Sequence, residues 1–421
     1  MHKIISVFAG LAIFNVFLNT SLFCDKINSE KGSATDLAIQ EDTTGFINAT
    51  NEFAIDLYSI YKSTEGNIFF SPYSISDTFA MTYEGAREKT AEEIQKAFHF
   101  PQDINITRQF YLKIYNSLNG ENKEYELRTA NALWAEKSFE FLKDYFNVIK
   151  NYYNGEATNV DFINESEESR KTINYWTEEQ TNKKIINLIS KNDVDSTTRL
   201  IVTNAVYFKG KWADRFDRKN TKMLAFKSGT TNQIKVPTMS LIGSKTFFNY
   251  MEIGMLQILE LPYAGEKLSM LILLPKGDSL NYLEASLNIK LLDMWRNTLE
   301  KRRVDVYLPK FMFETRYFLN DTLKKMGMPT AFSLDADFSG MTGDKDLFIS
   351  DAIHQAFIEV NEEGTEAAAA TAATMGVKAA EGVKIEKPRV VFNANHPFIF
   401  IIQEKETGTI LFLGRVVNPA Q

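Results

Sequence analysis

Histidine and cysteine, the side chains best suited to acid–base and nucleophilic chemistry near neutral pH, are few in this chain and widely spaced. It has four histidines and a single cysteine, Cys24. One cysteine rules out a CxxC redox pair, a cysteine zinc cluster and an internal disulfide. The patterns HExxH, GxSxG and GxxxxGKS/T do not occur, so metalloprotease, serine-hydrolase and phosphate-loop chemistry lack their usual carriers. His99 and His354 are far apart, and His354 sits in the strand-like run IHQAFIEV. A histidine in such a run is more often a hydrogen-bonded structural group than a ligand. No cofactor or metal is implied, and the chain does not read as an enzyme.

The segment that most needs explaining carries almost no reactive group. NEEGTEAAAATAATMGVKAAEG, residues 361–382, lies between IHQAFIEV and RVVFNANHPFIFII. Alanine has the best helix propensity, so a plain helix is one reading. Against it, Thr371 and Thr374 are poor helix formers, Gly376 and Val377 interrupt, and no amphipathic face is present to pack. A stretch this long without core patterning also exceeds an ordinary connector. Read with a period of two, Thr365, Ala367, Ala369, Thr371 and Ala373 share one face while Glu366 points the other way. A strand of such small residues could slide between two neighbours without overpacking them.

The elements that must position this segment are legible in outline. The 421 residues are 44% hydrophobic and 24% charged, which excludes a chain disordered throughout. The net charge of −7 argues against a nucleic-acid binder. The one tight basic run, Lys301-Arg302-Arg303, reads as a solvated loop, so no strong heparin site is evident. Lys3 and the apolar stretch Ile4–Leu18 suit a signal peptide over residues 1–24 better than a membrane span, and the protein is expected to be secreted, in the extracellular space. Cys24, placed after that stretch, resembles a lipidation site on a cell-surface lipoprotein; ordinary cleavage nearby is the alternative. Residues 25–45 read as a flexible leader.

From residue 46 the pattern is globular. Phe53, Ala54, Leu57, Tyr58 and Tyr61 fall on one helical face. NIFFSPYSI reads as a short buried strand ending in a turn at Pro72. Thr90 and Glu93 have capping-box spacing, and SEESRKTINYWTEEQTNKKIINLI reads as one long amphipathic helix. RLIVTNAVYF, LSMLILLP and RVDVYLP read as strands, and PFIFIIQE with TILFLGRVV as a buried hairpin. Helices early and strands late predict an α+β fold.

Several of these segments resemble the serpins. EEGTEAAAAT is similar to the hinge of an inhibitory serpin's reactive-centre loop, and FNANHPFIFII to the family signature that follows it. NIFFSPYSI, TNAVYFKGKW, LPKF and LFLGRVVNP match further family segments in the family's order. The resemblance covers residues 46–421 and implies a single large domain with three β-sheets, eight or nine helices and an exposed reactive-centre loop at about 362–390. It implies inhibition by a metastable fold: a protease acylates itself on the loop, the cut loop enters the main sheet, and the protease is carried off. The residue fourteen beyond Gly364 is Lys378, so the reactive bond would be Lys378–Ala379, with trypsin-like serine proteases as partners and cysteine proteases as further targets. Val377, Met375 and Lys384 are alternatives, the first two for chymotrypsin- or elastase-like enzymes. The hinge would be Glu362, Gly364, Thr365, Glu366 and Ala367, Ala368, Ala369, Ala370. Ser71, Ser74, Asn204 and His354 match the polar cluster, or shutter, under the main sheet. Trp212 and Lys310 match the breach where the loop first enters. A monomer is expected, and a non-inhibitory binding or carrier serpin is the competing reading.

Overall fold

Runs of branched and aromatic residues bounded by charge or glycine make the long strands, and those buried on both faces are apolar almost throughout. The computed structural model describes residues 45–119, 124–228, 232–243, 246–277, 279–365 and 388–421. The chain divides into Met1–Phe46 and Ile47–Gln421, and the strands of the described residues all belong to the second unit.

One sheet is built from β1 (Ile68–Phe70), β16 (Ile410–Val416), β15 (Phe398–Glu404), β9 (Leu268–Pro275), β8 (Leu256–Pro262) and β7 (Phe247–Ile253), in that spatial order. β10 (Glu300–Pro309) then serves two sheets. Its first residues pair with β7, from Val304 it pairs in parallel with β14 (Val390–Asn393), and from Val306 it pairs with β6 (Gln233–Leu241); β5 (Lys222–Lys227) closes the second sheet beyond β6. The third sheet has the order β11 (Phe311–Phe318), β12 (Ile349–Asn361), β13 (Gly364–Thr365), β4 (Leu200–Lys211), β2 (Tyr125–Glu136) and β3 (Glu156–Val160).

The third sheet holds the feature that matters most. β12 and β4 pair directly and in parallel, from Ile349 beside Leu200 to Phe357 beside Tyr207. Past that point they part, and the two residues of β13 lie between them, antiparallel to both. Beneath this sheet runs α2 (Pro72–Gly85), buried along nearly its whole length because it lies in the core. Phe69 of β1 stacks on Phe412 of β16 with ring centroids 5.3 Å apart, and Phe208 of β4 meets the same Phe412 at 5.7 Å, which ties the first sheet to the third.

The helical face of Phe53, Ala54, Leu57, Tyr58 and Tyr61 is buried as its spacing predicts. The predicted strands and the closing β15–β16 hairpin are also found. Four local expectations need correction. Pro72 does not make a turn: it opens α2 at the first helical position, where its missing N–H costs nothing. Thr90 and Glu93 form no capping box, because their helix, Glu88–Phe98, starts earlier; Thr90 Oγ1 instead accepts from the Asp337 amide and Glu93 from the amide and hydroxyl of Thr330. The long amphipathic helix stops at Gln180. Asn182, Lys183 and Asn187 take positive φ, and Ile185, Leu188 and Ile189 are buried from irregular chain. Lys301-Arg302-Arg303 is not loop but strand, paired with Asn249, Phe248 and Phe247.

Candidate functional site

The site begins where β4 ends. Trp212 follows Lys211, its amide donates to Glu363 O at 2.8 Å, and its indole Nε1 donates to Asn361 O at 3.0 Å. The indole stacks on Tyr263 at 4.7 Å and 11°. These contacts bend the chain after β12 back toward the sheet. Glu362 is held there by its side chain: Lys310 Nζ lies 2.9 Å from one carboxylate oxygen and Thr221 Oγ1 donates to the other at 2.7 Å. Burial works against ionisation of Glu362, but the hydrogen bonds from Lys310 and Thr221 outweigh it and hold the carboxyl below its usual value.

The next residues dive into the sheet. Gly364 pairs with Lys211 on one side and Asn361 on the other, at φ 151°. A Cβ here would lie 1.9 Å from the Gly210 carbonyl oxygen, so only glycine fits. Thr365 is fully buried, with Oγ1 2.8 Å from the Tyr263 hydroxyl. The start of the loop is therefore seated in the sheet, not exposed as the family resemblance implies, because the parting of β12 from β4 leaves a place for it. Glu366, Ala367, Ala368, Ala369, Ala370, Lys378, Ala379 and Cys24 lie outside the described residues, as do Val377, Met375 and Lys384.

Farther down, where β12 and β4 touch, a row of polar side chains crosses the sheet. Asn131 of β2 is level with Asn204 of β4, and Asn204 with His354 of β12. The Asn204 amide donates to Asn131 Oδ1 at 2.6 Å and to Ser74 Oγ at 2.6 Å. Ser74 lies in α2, and its amide donates to Ser71 Oγ at 3.1 Å, so Ser71 caps the helix. The Ser71 amide donates to His354 Nε2 at 3.2 Å, which leaves the ring proton on Nδ1 to be donated to Asn204 Oδ1. Full burial pushes the His354 pKa from 6.5 down to about 3, so the ring is neutral at ordinary pH. Burial also pushes the Asp77 carboxyl well up, against a 2.7 Å hydrogen bond from Asn131.

The structure thus joins Ser71, Ser74, Asn204 and His354 in one network, and Trp212, Lys310, Glu362, Gly364 and Thr365 in a second. Sequence reasoning missed Asn131, Asp77 and Tyr263. Asn131 becomes visible only when β2 is placed beside β4, and Tyr263 follows β8 with no pattern to mark it. Among the described residues no group of three or more His, Cys, Asp or Glu side chains is placed to hold a metal. The arrangement can guide a strand; it offers no nucleophile set against a base.

Fold and site together define a mixed helix-and-sheet protein in which two late residues, Gly364 and Thr365, lie between two otherwise paired parallel strands of a six-stranded sheet. The chain belongs to the serpin family, whose model, Serpin (serine protease inhibitor), matches residues 48–419. It is 43% identical to a serpin-like protein of Thermococcus kodakarensis over 89% of this chain and 85% of that one. It is 41% identical to the leukocyte elastase inhibitor of Xenopus tropicalis over 88% of this chain and 98% of that one. Human thyroxine-binding globulin in complex with thyroxine superposes with a TM-score of 0.80 at 31% identity, over 90% of this chain and all of that one. Serpins are in general protease inhibitors rather than enzymes, though the family also holds non-inhibitory members.

Proposed function

We propose that this chain is a secreted, monomeric inhibitor of trypsin-like serine proteases that works as a suicide substrate. The observation that carries the reading is the seated hinge: Gly364 and Thr365 occupy the first two rungs between β12 and β4, above a parallel pair that further strand could split. The protease serine attacks the carbonyl carbon of Lys378, the amine of Ala379 leaves, and an ester links the enzyme to Lys378. The freed hinge then continues downward in the sense β13 already has. It replaces one parallel ladder with two antiparallel ones, which pair slightly better per residue. Each rung adds about 1 kcal/mol net. Fourteen residues at roughly 3.3 Å span about 45 Å, enough to drag the enzyme across the domain. For this the sheet must open at the polar row, and the His354–Asn204 hydrogen bond must break.

Lys378 favours trypsin-like targets, and the signal-like stretch behind Lys3 supports export. A binding or carrier role is the second reading, favoured by the likeness to thyroxine-binding globulin. Bulky, charged or proline hinge residues would accompany it, whereas Thr365 and the alanines after Glu366 are small. Mixing the protein with trypsin separates the two. The inhibitor gives a band that survives SDS, heavier than the uncut protein by about one protease less the released fragment, and mass spectrometry of that fragment locates the cut. Cleaved chain without such a band overturns the proposal.

A further inference from the structure

We propose that Tyr263 is a positioning residue for loop insertion: its phenol latches the Thr365 hydroxyl and keeps the hinge seated two residues deep before any protease arrives. The inference rests on the inhibitor reading for its consequence, but not for the latch itself. Tyr263 and Thr365 are both fully buried, and their hydroxyls lie 2.8 Å apart. The Tyr263 ring cannot follow a departing hinge. It is stacked on Trp212, edge-on to Phe208 at 5.1 Å and 83°, and its amide donates to Leu268 O at 2.9 Å. Withdrawing Thr365 would leave a buried phenol without its partner, which is costlier than losing an exposed hydrogen bond. The backbone helps in the same place: Gly210, opposite Thr365, has no side chain, and a Cβ there would meet Phe208 and the Tyr263 ring, each at 2.8 Å. Position 365 therefore needs a hydroxyl as well as small size. Insertion starts from a register already set, with the remaining rungs following a fixed first pair.

The test is hydrogen exchange of the hinge amides in the intact, uncleaved protein, paired with the stoichiometry of inhibition against trypsin. Tyr263→Phe keeps the ring and removes only the hydroxyl. We expect it to speed exchange at residues 364–365 about tenfold, the scale of one buried hydrogen bond. Thr365→Val should do the same, Thr365→Ser should stay near the parent, and the double variant Tyr263→Phe/Thr365→Val should be no faster than either single one. Both single variants should also consume more inhibitor per trypsin trapped. Unchanged exchange in Tyr263→Phe, or fully additive effects in the double variant, would overturn the latch. Faster exchange with an unchanged stoichiometry would overturn its role in positioning. A parent that traps no trypsin defeats the inhibitor reading alone, since the exchange measurement needs no protease.

Discussion

Acidification should loosen the sheet at one histidine. His354 has its pKa lowered from 6.5 to about 3 by burial, so the unfolded chain takes up a proton at a pH where the fold refuses it. A depressed folded value means that this contribution is complete above pH 6.5 and is lost as pH falls toward 3. One pKa unit corresponds to about 1.4 kcal/mol, so the loss between pH 8 and pH 5 is about 2 kcal/mol. The control is His354→Gln, whose amide can donate to Asn204 and accept from the Ser71 amide without titrating. Urea unfolding of both proteins at pH 8 and pH 5, followed by tryptophan fluorescence, isolates the histidine, because every other titrating group is shared. These include His99, raised by its hydrogen bond to Asp56, and Asp77, raised by burial. The parent should lose about 2 kcal/mol more than the variant over that interval. Equal losses would refute the argument that burial keeps this ring neutral.

Three further outcomes follow from the hinge. Gly364→Ala places a methyl group against the Gly210 carbonyl and should unseat β13 at a cost of about 2 kcal/mol, seen as a lower unfolding midpoint. Thr365→Arg would have to bury a guanidinium where the hydroxyl now sits, and should turn inhibitor into substrate, with the stoichiometry of inhibition against trypsin rising about tenfold or more. Nicking the loop near residue 378 should add about a dozen rungs and raise the melting temperature by about 20 °C or more. An unmoved melting temperature would remove the basis for insertion.

What the sequence made legible was whatever depends on near neighbours. Runs such as LSMLILLP and PFIFIIQE are strands because apolar residues dominate them, and the short turn after Glu404 joins β15 and β16 in a hairpin. Thr90 and Glu93 misled because capping chemistry and tertiary hydrogen bonding use the same side chains, and here Thr330 and Asp337 claimed them. The stretch after Gln180 kept helical composition, but Ile189 exchanges hydrogen bonds with the Asn174 side chain in both directions, which an uninterrupted helix would not allow. The polar row was half visible: His354 and Asn204 came from the family resemblance, while Asn131 needed the registers of β2 on β4 and of β4 on β12. Those registers join segments more than seventy residues apart.

The far side of the loop ends in β14, which pairs with β10, and continues into β15 and β16, both wholly buried. A cut between residues 378 and 379 therefore severs the backbone without freeing the piece downstream. That piece supplies two buried inner strands of the first sheet, and it would leave only when that sheet melts. A spent molecule should travel as one particle in native buffer, with the second polypeptide showing itself only in denaturant.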